Sequence, residues 1–169
     1  MGAWRTAVER FAEFVELLDL LLRQDRVTWH GEFYEVVEAR TVPGCAQRPR
    51  LPFIIAANAP GSMEVAARFG EGWVTEGGEG HERLDDWWRA VATLLAQFNE
   101  PGRRRILQTD AAPVYALSSV ETFLDFVGRA EELAFTDLAV PWPRSSPPWQ
   151  GRQSIVEDVA AARPPRDGS

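Results

Sequence analysis

From Trp4 to Gln24, apolar side chains recur at Val8, Phe11, Val15, Leu18 and Leu22. Spacings of three and four residues put them on one face of a helix. Between Val27 and Val37 the pattern becomes β-rich around His30-Gly31, which predicts a hairpin with Val27 to Trp29 returning through Phe33 to Val36. Pro43, Pro49 and Pro52 make residues 39–52 an extended connector, because proline removes a donor and fixes its own backbone. Phe53-Ile54-Ile55-Ala56-Ala57 is then apolar without interruption, the pattern of a parallel strand covered on both faces.

A helix from about Ser62 to Phe69 follows, stopped by Gly70, and Gly72 to Thr75 reads as a second strand opening into a loop with Gly77, Gly78 and Gly80. Trp87, Val91, Leu94 or Leu95, and Phe98 mark one face of a helix over about 82–98. A third strand is expected within 106–117, centred on Ala111 to Tyr115. Ser118 followed by Glu121 matches a capping box, so a helix should start there and run to about Ala134. Thr136 to Val140 reads as a fourth strand, four prolines then break the chain between Pro141 and Pro148, and a last helix is expected over Ser154 to Ala162. The tail, 163–169, is rich in proline, charge and glycine and is expected to be disordered.

The order is helix, hairpin, then four strand-helix units. Strands alternating with helices imply an α/β fold with a parallel sheet, because each parallel connection needs a crossover. An open doubly wound sheet and half of a closed barrel both fit, within a single expected domain over 1–162. At 169 residues, 45% of them apolar, the chain can bury one sizeable core. Its formal charge of −7 argues against a nucleic-acid or anionic-membrane surface. The basic run Arg103-Arg104-Arg105, after Pro101-Gly102, reads as a solvated loop. Cys45 is the only cysteine, so neither an internal disulfide nor a thiolate zinc cluster is possible, and the chain reads as cytoplasmic. No apolar run reaches the roughly 18 to 20 residues that span a bilayer. His30 and His81 are the only histidines, and no metal site is expected.

In both architectures ligands gather at the carboxyl ends of the strands. After the first strand, Ala57, Asn58, Ala59, Pro60, Gly61 and Ser62 lead directly into a helix N-terminus. Small side chains there leave amides open to a phosphate, although an ordinary tight turn uses the same residues. Thr75, Glu76 and the glycine loop could supply a hydroxyl, a carboxylate and a lid, or simply a connector. On the expected third strand, Tyr115 falls on the ligand side and Asp110 near the opposite face. After the fourth strand, Trp142 and Arg144 could meet a flat, charged cofactor, against the simpler expectation of a core Trp142 and a solvated Arg144. Dinucleotide-binding, Walker-type and nucleophile-elbow motifs do not occur.

Phe11 to Glu16, Val27 to Tyr34, Gln47 to Asn58, Ala66 to Val74, and Asp110 to Tyr115 with Ser118 to Val120 together resemble the luciferase-like flavin- or deazaflavin-dependent oxidoreductases, over residues 4 to about 162. The resemblance implies the C-terminal half of a (β/α)8 TIM-type barrel that binds FMN or coenzyme F-420 at the C-terminal strand face for monooxygenation or hydride transfer on a small organic substrate. By the same resemblance, Ala57, Asn58, Ala59, Gly61 and Ser62 lie on the cofactor-phosphate side, with Trp73, Thr75 and Trp142 near the pocket mouth. No catalytic residue carries over. Four strands of an eight-stranded family barrel imply an incomplete active site, closed by a second copy or by a complementing N-terminal half. The alternative is a non-enzymatic half-barrel that serves assembly or binding.

Overall fold

The computed structural model describes residues 2–162, with side chains from Arg5 onward; the tail expected to be disordered lies outside the described residues. These fall into two compact units that divide between Trp73 and Val74.

In the first unit the stripe spaced by three and four residues forms helix α1 (Gly2–Arg23), with Val15 and Leu17 buried. Strands β1 (Val27–His30) and β2 (Glu35–Ala39) pair antiparallel with Trp29 opposite Val36 and His30 opposite Glu35. The turn is held from outside the hairpin. The Glu13 carboxylate on α1 accepts from Trp29 Nε1 at 3.2 Å and from the amides of Glu32, Phe33 and Tyr34 at 3.0, 3.1 and 2.9 Å. Burial pushes the Glu13 pKa up, but these hydrogen bonds to the ionised form win and hold it below the ordinary value.

Strand β3 (Ile54–Ala56) and helix α2 (Pro60–Phe69) follow the connector. Arg50 organises this region. Its side chain is 2% exposed, bonds Asp19 and Glu71, donates to the carbonyls of Leu51 and Phe69 at 2.7 Å each, and stacks 3.7 Å from the centroid of Phe53. Burial opposes ionisation of Asp19 and Glu71, yet the hydrogen bonds they accept lower both pKa values. The expectation that β3 is covered on both faces is corrected: Ile55 is buried but Ile54 is 39% exposed. An unbroken apolar run does not reveal which of its residues lack a neighbour.

Strands β4 (Gly72–Thr75), β5 (Arg104–Gln108) and β6 (Asp137–Ala139) complete a four-stranded parallel sheet in the order β3-β4-β5-β6. Helices α3 (Leu84–Gln97), α4 (Val120–Glu132) and α5 (Ile155–Ala162) belong to the second unit. Trp87, Trp88 and Phe126 form an aromatic core there, with ring centroids 4.8 to 5.8 Å apart. The Trp87 indole donates to Glu76 O at 2.8 Å, fixing the chain just beyond β4.

The third strand needs correction. It lies at 104–108, not 111–115, and Arg104 and Arg105 open it instead of forming a solvated loop. Ile106 and Leu107 pair with Asp137 and Leu138, while the Arg104 guanidinium bonds the Asp137 carboxylate on the neighbouring strand. A cross-strand ion pair allowed a basic residue where its sequence neighbours suggested a turn. The helix cap is also displaced by one residue: Ser118 closes a short 3₁₀ turn, and the Ser119 Oγ accepts from Thr122 N at 3.0 Å.

Candidate active site

In the first unit, the turn after β3 is built of side chains too small to shield its backbone. Ala57 is buried, Asn58 and Ala59 are exposed, and Gly61 and Ser62 are half-buried. Ala59 precedes α2 with extended backbone and has no oxygen with which to cap the helix. Pro60 takes the first helical position, where a missing N–H costs nothing. Ser62 folds back, donating to Ala59 O at 2.9 Å. A Cβ on Gly61 would meet Val8 Cγ1 at 2.8 Å, so glycine lets the first turn of α2 lie close against α1. Trp73, with no exposed surface, donates from Nε1 to Ala57 O at 2.7 Å and anchors the start of the turn. Of the first-unit candidates, five thus form one continuous turn, and the sixth supports it from the core.

In the second unit, two adjoining clefts open where β4, β5 and β6 end. One, of about 440 Å³, is lined by Glu76, Glu79, Gly80, Asp110, Ala111 and Trp149. The other, of about 260 Å³, is lined by Gln108, Asp110, Ala139, Val140, Pro141, Trp142, Arg144 and Trp149. Asp110 and Trp149 belong to both. The expectation of Asp110 at the far face is thereby corrected: with β5 ending at Gln108, Asp110 sits just past its carboxyl end. The backbone holds it there, Thr109 N donating to Ala139 O at 3.1 Å and Ala112 N to Thr109 O at 3.2 Å.

Trp142 is 61% exposed and walls the smaller cleft, which corrects the expectation of a core tryptophan. Proline neighbours on both sides hold its backbone away from regular packing. Thr75 is 2% exposed and lines neither cleft; its Oγ1 accepts from Gly77 N at 3.1 Å, so it shapes the start of the glycine loop. Tyr115 donates to Pro141 O at 3.0 Å, steadying the segment that carries Trp142, and burial raises its pKa. Asp110 and Gln108 were missed as cleft residues because the misplaced strand put the wrong residues at its carboxyl end, and Trp149 because the proline-rich stretch after β6 has no periodic pattern. In the sequence Glu76 and Glu79 can be imagined as an acid-base pair, but they share one flexible glycine loop, whereas paired catalytic carboxylates need a fixed separation. Among the described residues no group of carboxylate, histidine or cysteine side chains could hold a metal ion, and no helix is long and apolar enough to cross a membrane.

A family model described as luciferase-like monooxygenase matches residues 1–116. The chain belongs to that family. Among curated proteins, this luciferase-like chain is similar to an F420-dependent glucose-6-phosphate dehydrogenase of Kineococcus radiotolerans, 31% identical over 185 residues that cover 90% of this chain and 52% of the relative. It is also similar to the Mycobacterium leprae protein of the same name, 38% identical over 84 residues, 48% of this chain and 24% of the relative. The chain spans about half the length of the first of these, 52%. A solved F420-dependent secondary alcohol dehydrogenase in complex with an F420-acetone adduct matches with a TM-score of 0.65 at 12% identity, over 99% of this chain and 64% of that one. That likeness is one of fold, and it identifies the strand-helix repeats as those of a TIM-type barrel.

Proposed function

We propose that this luciferase-like chain serves a deazaflavin-dependent oxidoreductase acting on a small organic substrate in the cytoplasm. The observation that carries the reading is the 31% identity, over 90% of the chain, to a relative named as F420-dependent. FMN, which the resemblance also admits, has no such support.

The residues present fit such a cofactor. In the first unit, Ala57, Asn58, Ala59, Gly61 and Ser62 are the contact we assign to its phosphate, because no N-cap side chain competes for the first-turn amides of α2 and the helix dipole favours an anion. Trp73 holds that turn through Ala57 O, and Thr75 sets the backbone leading to the glycine loop. In the second unit, the exposed Trp142 plane suits a flat ring system. When bound, a deazaflavin takes or delivers a hydride. The chain must then move the accompanying proton. Asp110, exposed and common to both clefts, is the carboxylate we assign to that task, with Glu76 and Glu79 keeping the larger cleft electronegative.

Strands β3 and β6 are the edges of the sheet, and we extend the proposal to a second copy or a complementing chain that pairs them. Titration of the purified protein with coenzyme F-420 and, separately, with FMN tests the function. Saturable quenching by the deazaflavin, with FMN weaker, is expected. A folded sample that quenches neither refutes the oxidoreductase reading and leaves the half-barrel binding module.

A further inference from the structure

The smaller cleft contains a cation whose placement the cofactor reading does not explain. Arg144 is exposed, stacks with its guanidinium carbon 4.8 Å from the Trp149 ring centroid, and has no ion-pair partner among the described residues. Its main chain is fixed on both sides: Arg144 N donates to Trp149 O at 2.8 Å, and Gly151 N donates to Arg144 O at 3.0 Å. Pro143, immediately before it, is fully buried. A guanidinium stacked on an indole is held by one face and keeps its in-plane N–H edge for a carboxylate, at little cost in side-chain entropy.

We propose that Arg144 is the specificity-determining residue for a substrate bearing a single negative charge, a small planar carboxylate. The role as a substrate cleft rests on the oxidoreductase reading. The charges around Arg144 favour a monoanion over a phosphate. Asp110 is the only other charged residue lining the same cleft, and the adjoining cleft adds Glu76 and Glu79 with no cation of its own. A carboxylate meets one guanidinium against this acidic background. A phosphate dianion would double its attraction to Arg144 and its repulsion from Asp110, Glu76 and Glu79 alike, and because one cation faces three carboxylates the doubling is a net loss. Gln108 adds a carboxamide to the wall, able to hydrogen-bond a neutral remainder. The substrate class therefore differs from the phosphorylated sugar in the names of the curated relatives.

Calorimetric titration of the full chain with benzoate, with phenyl phosphate and with benzyl alcohol, in the absence of any cofactor, tests this. Benzoate should bind the unaltered protein at least about tenfold tighter than phenyl phosphate, and R144Q should weaken benzoate by about tenfold or more, the scale of a charge-assisted hydrogen bond. R144K, which keeps the charge without the planar fork, should fall between. Far-UV circular dichroism identifies which variants are folded, and R144K together with the ligand series on the unaltered protein decides the matter if R144Q is not. Equal benzoate affinity in R144Q and the unaltered chain, phenyl phosphate binding as tightly as benzoate, or no benzoate binding at all would each overturn the proposal. A parallel coenzyme F-420 titration separates the two readings. Benzoate binding through Arg144 without deazaflavin binding sinks the oxidoreductase function alone, whereas deazaflavin binding without benzoate binding sinks only the carboxylate site.

Discussion

Replacing Arg50 with methionine removes the cation that joins α1, the connector and the segment after α2. The side chain is 2% exposed and has four acceptors: Asp19, Glu71 and the carbonyls of Leu51 and Phe69. Methionine keeps apolar contact with the Phe53 ring but offers no donor. Stranding the partners of a buried cation costs about 3–5 kcal/mol. Here part of that is recovered, because Asp19 keeps Arg23 at 2.8 Å and Glu71, 46% exposed, keeps water and Phe53 N. The expected loss is therefore about 2–4 kcal/mol, or on the order of 1–2 M in a urea midpoint for a chain of this size.

Acid should shrink that gap. The pKa values of Asp19 and Glu71 lie below their ordinary 3.8 and 4.5 in the folded state. Their contribution is present above the unfolded values and is lost as pH falls through the folded ones. Urea unfolding followed by circular dichroism at pH 7 and pH 3 measures both effects. A midpoint that R50M leaves unchanged at pH 7, or a difference of equal size at pH 3, would refute the account of Arg50 as an ionised hub.

Two glycines in the loop after β4 should respond differently to alanine. Gly77 has φ +78° and an added Cβ would lie 2.6 Å from both Trp87 Nε1 and Val91 Cγ2, whereas Gly80 has φ +83° with nothing within 4 Å. G80A should cost about 1 kcal/mol of backbone strain, and G77A about 2–4 kcal/mol once overpacking is added; equal thermal midpoints would refute the distinction. W73F keeps most of the buried ring but leaves Ala57 O without its donor. It should cost about 1–3 kcal/mol in chemical unfolding, and a loss below about 0.5 kcal/mol would show that water or another group serves that carbonyl.

The elements with strong periodicity were legible before any coordinates. Val8 to Leu22, Trp87 to Phe98 and Val120 to Ala130 each have an apolar stripe wide enough to dictate a helix, and Gly72 to Thr75 lies between turn signals that leave room only for a strand. The misplaced third strand has a traceable cause. Arg104 and Asp137 stabilise each other across neighbouring strands while standing 33 residues apart in the chain. A reading confined to local windows sees a basic turn and shifts the strand downstream. That displacement moved Asp110 to the wrong face and hid Gln108 and Ala111 beside it. Arg50 escaped notice for a related reason: it stands among prolines, and its partners Asp19 and Glu71 lie 31 and 21 residues away. The small-residue turn from Ala57 to Ser62 was visible because its property, a run of side chains too small to obstruct, is local.

Glu13 makes the hairpin dependent on a residue outside it. Three successive amides, Glu32 to Tyr34, point their hydrogens at one carboxylate from α1 and have no equivalent acceptor within 27–39. A peptide copied from that stretch would carry every residue of the hairpin and lose the anion around which its bend is wrapped. The turn is in effect an anion-binding loop that has captured a side chain of its own protein, so its shape can be transplanted only together with the helix that feeds it.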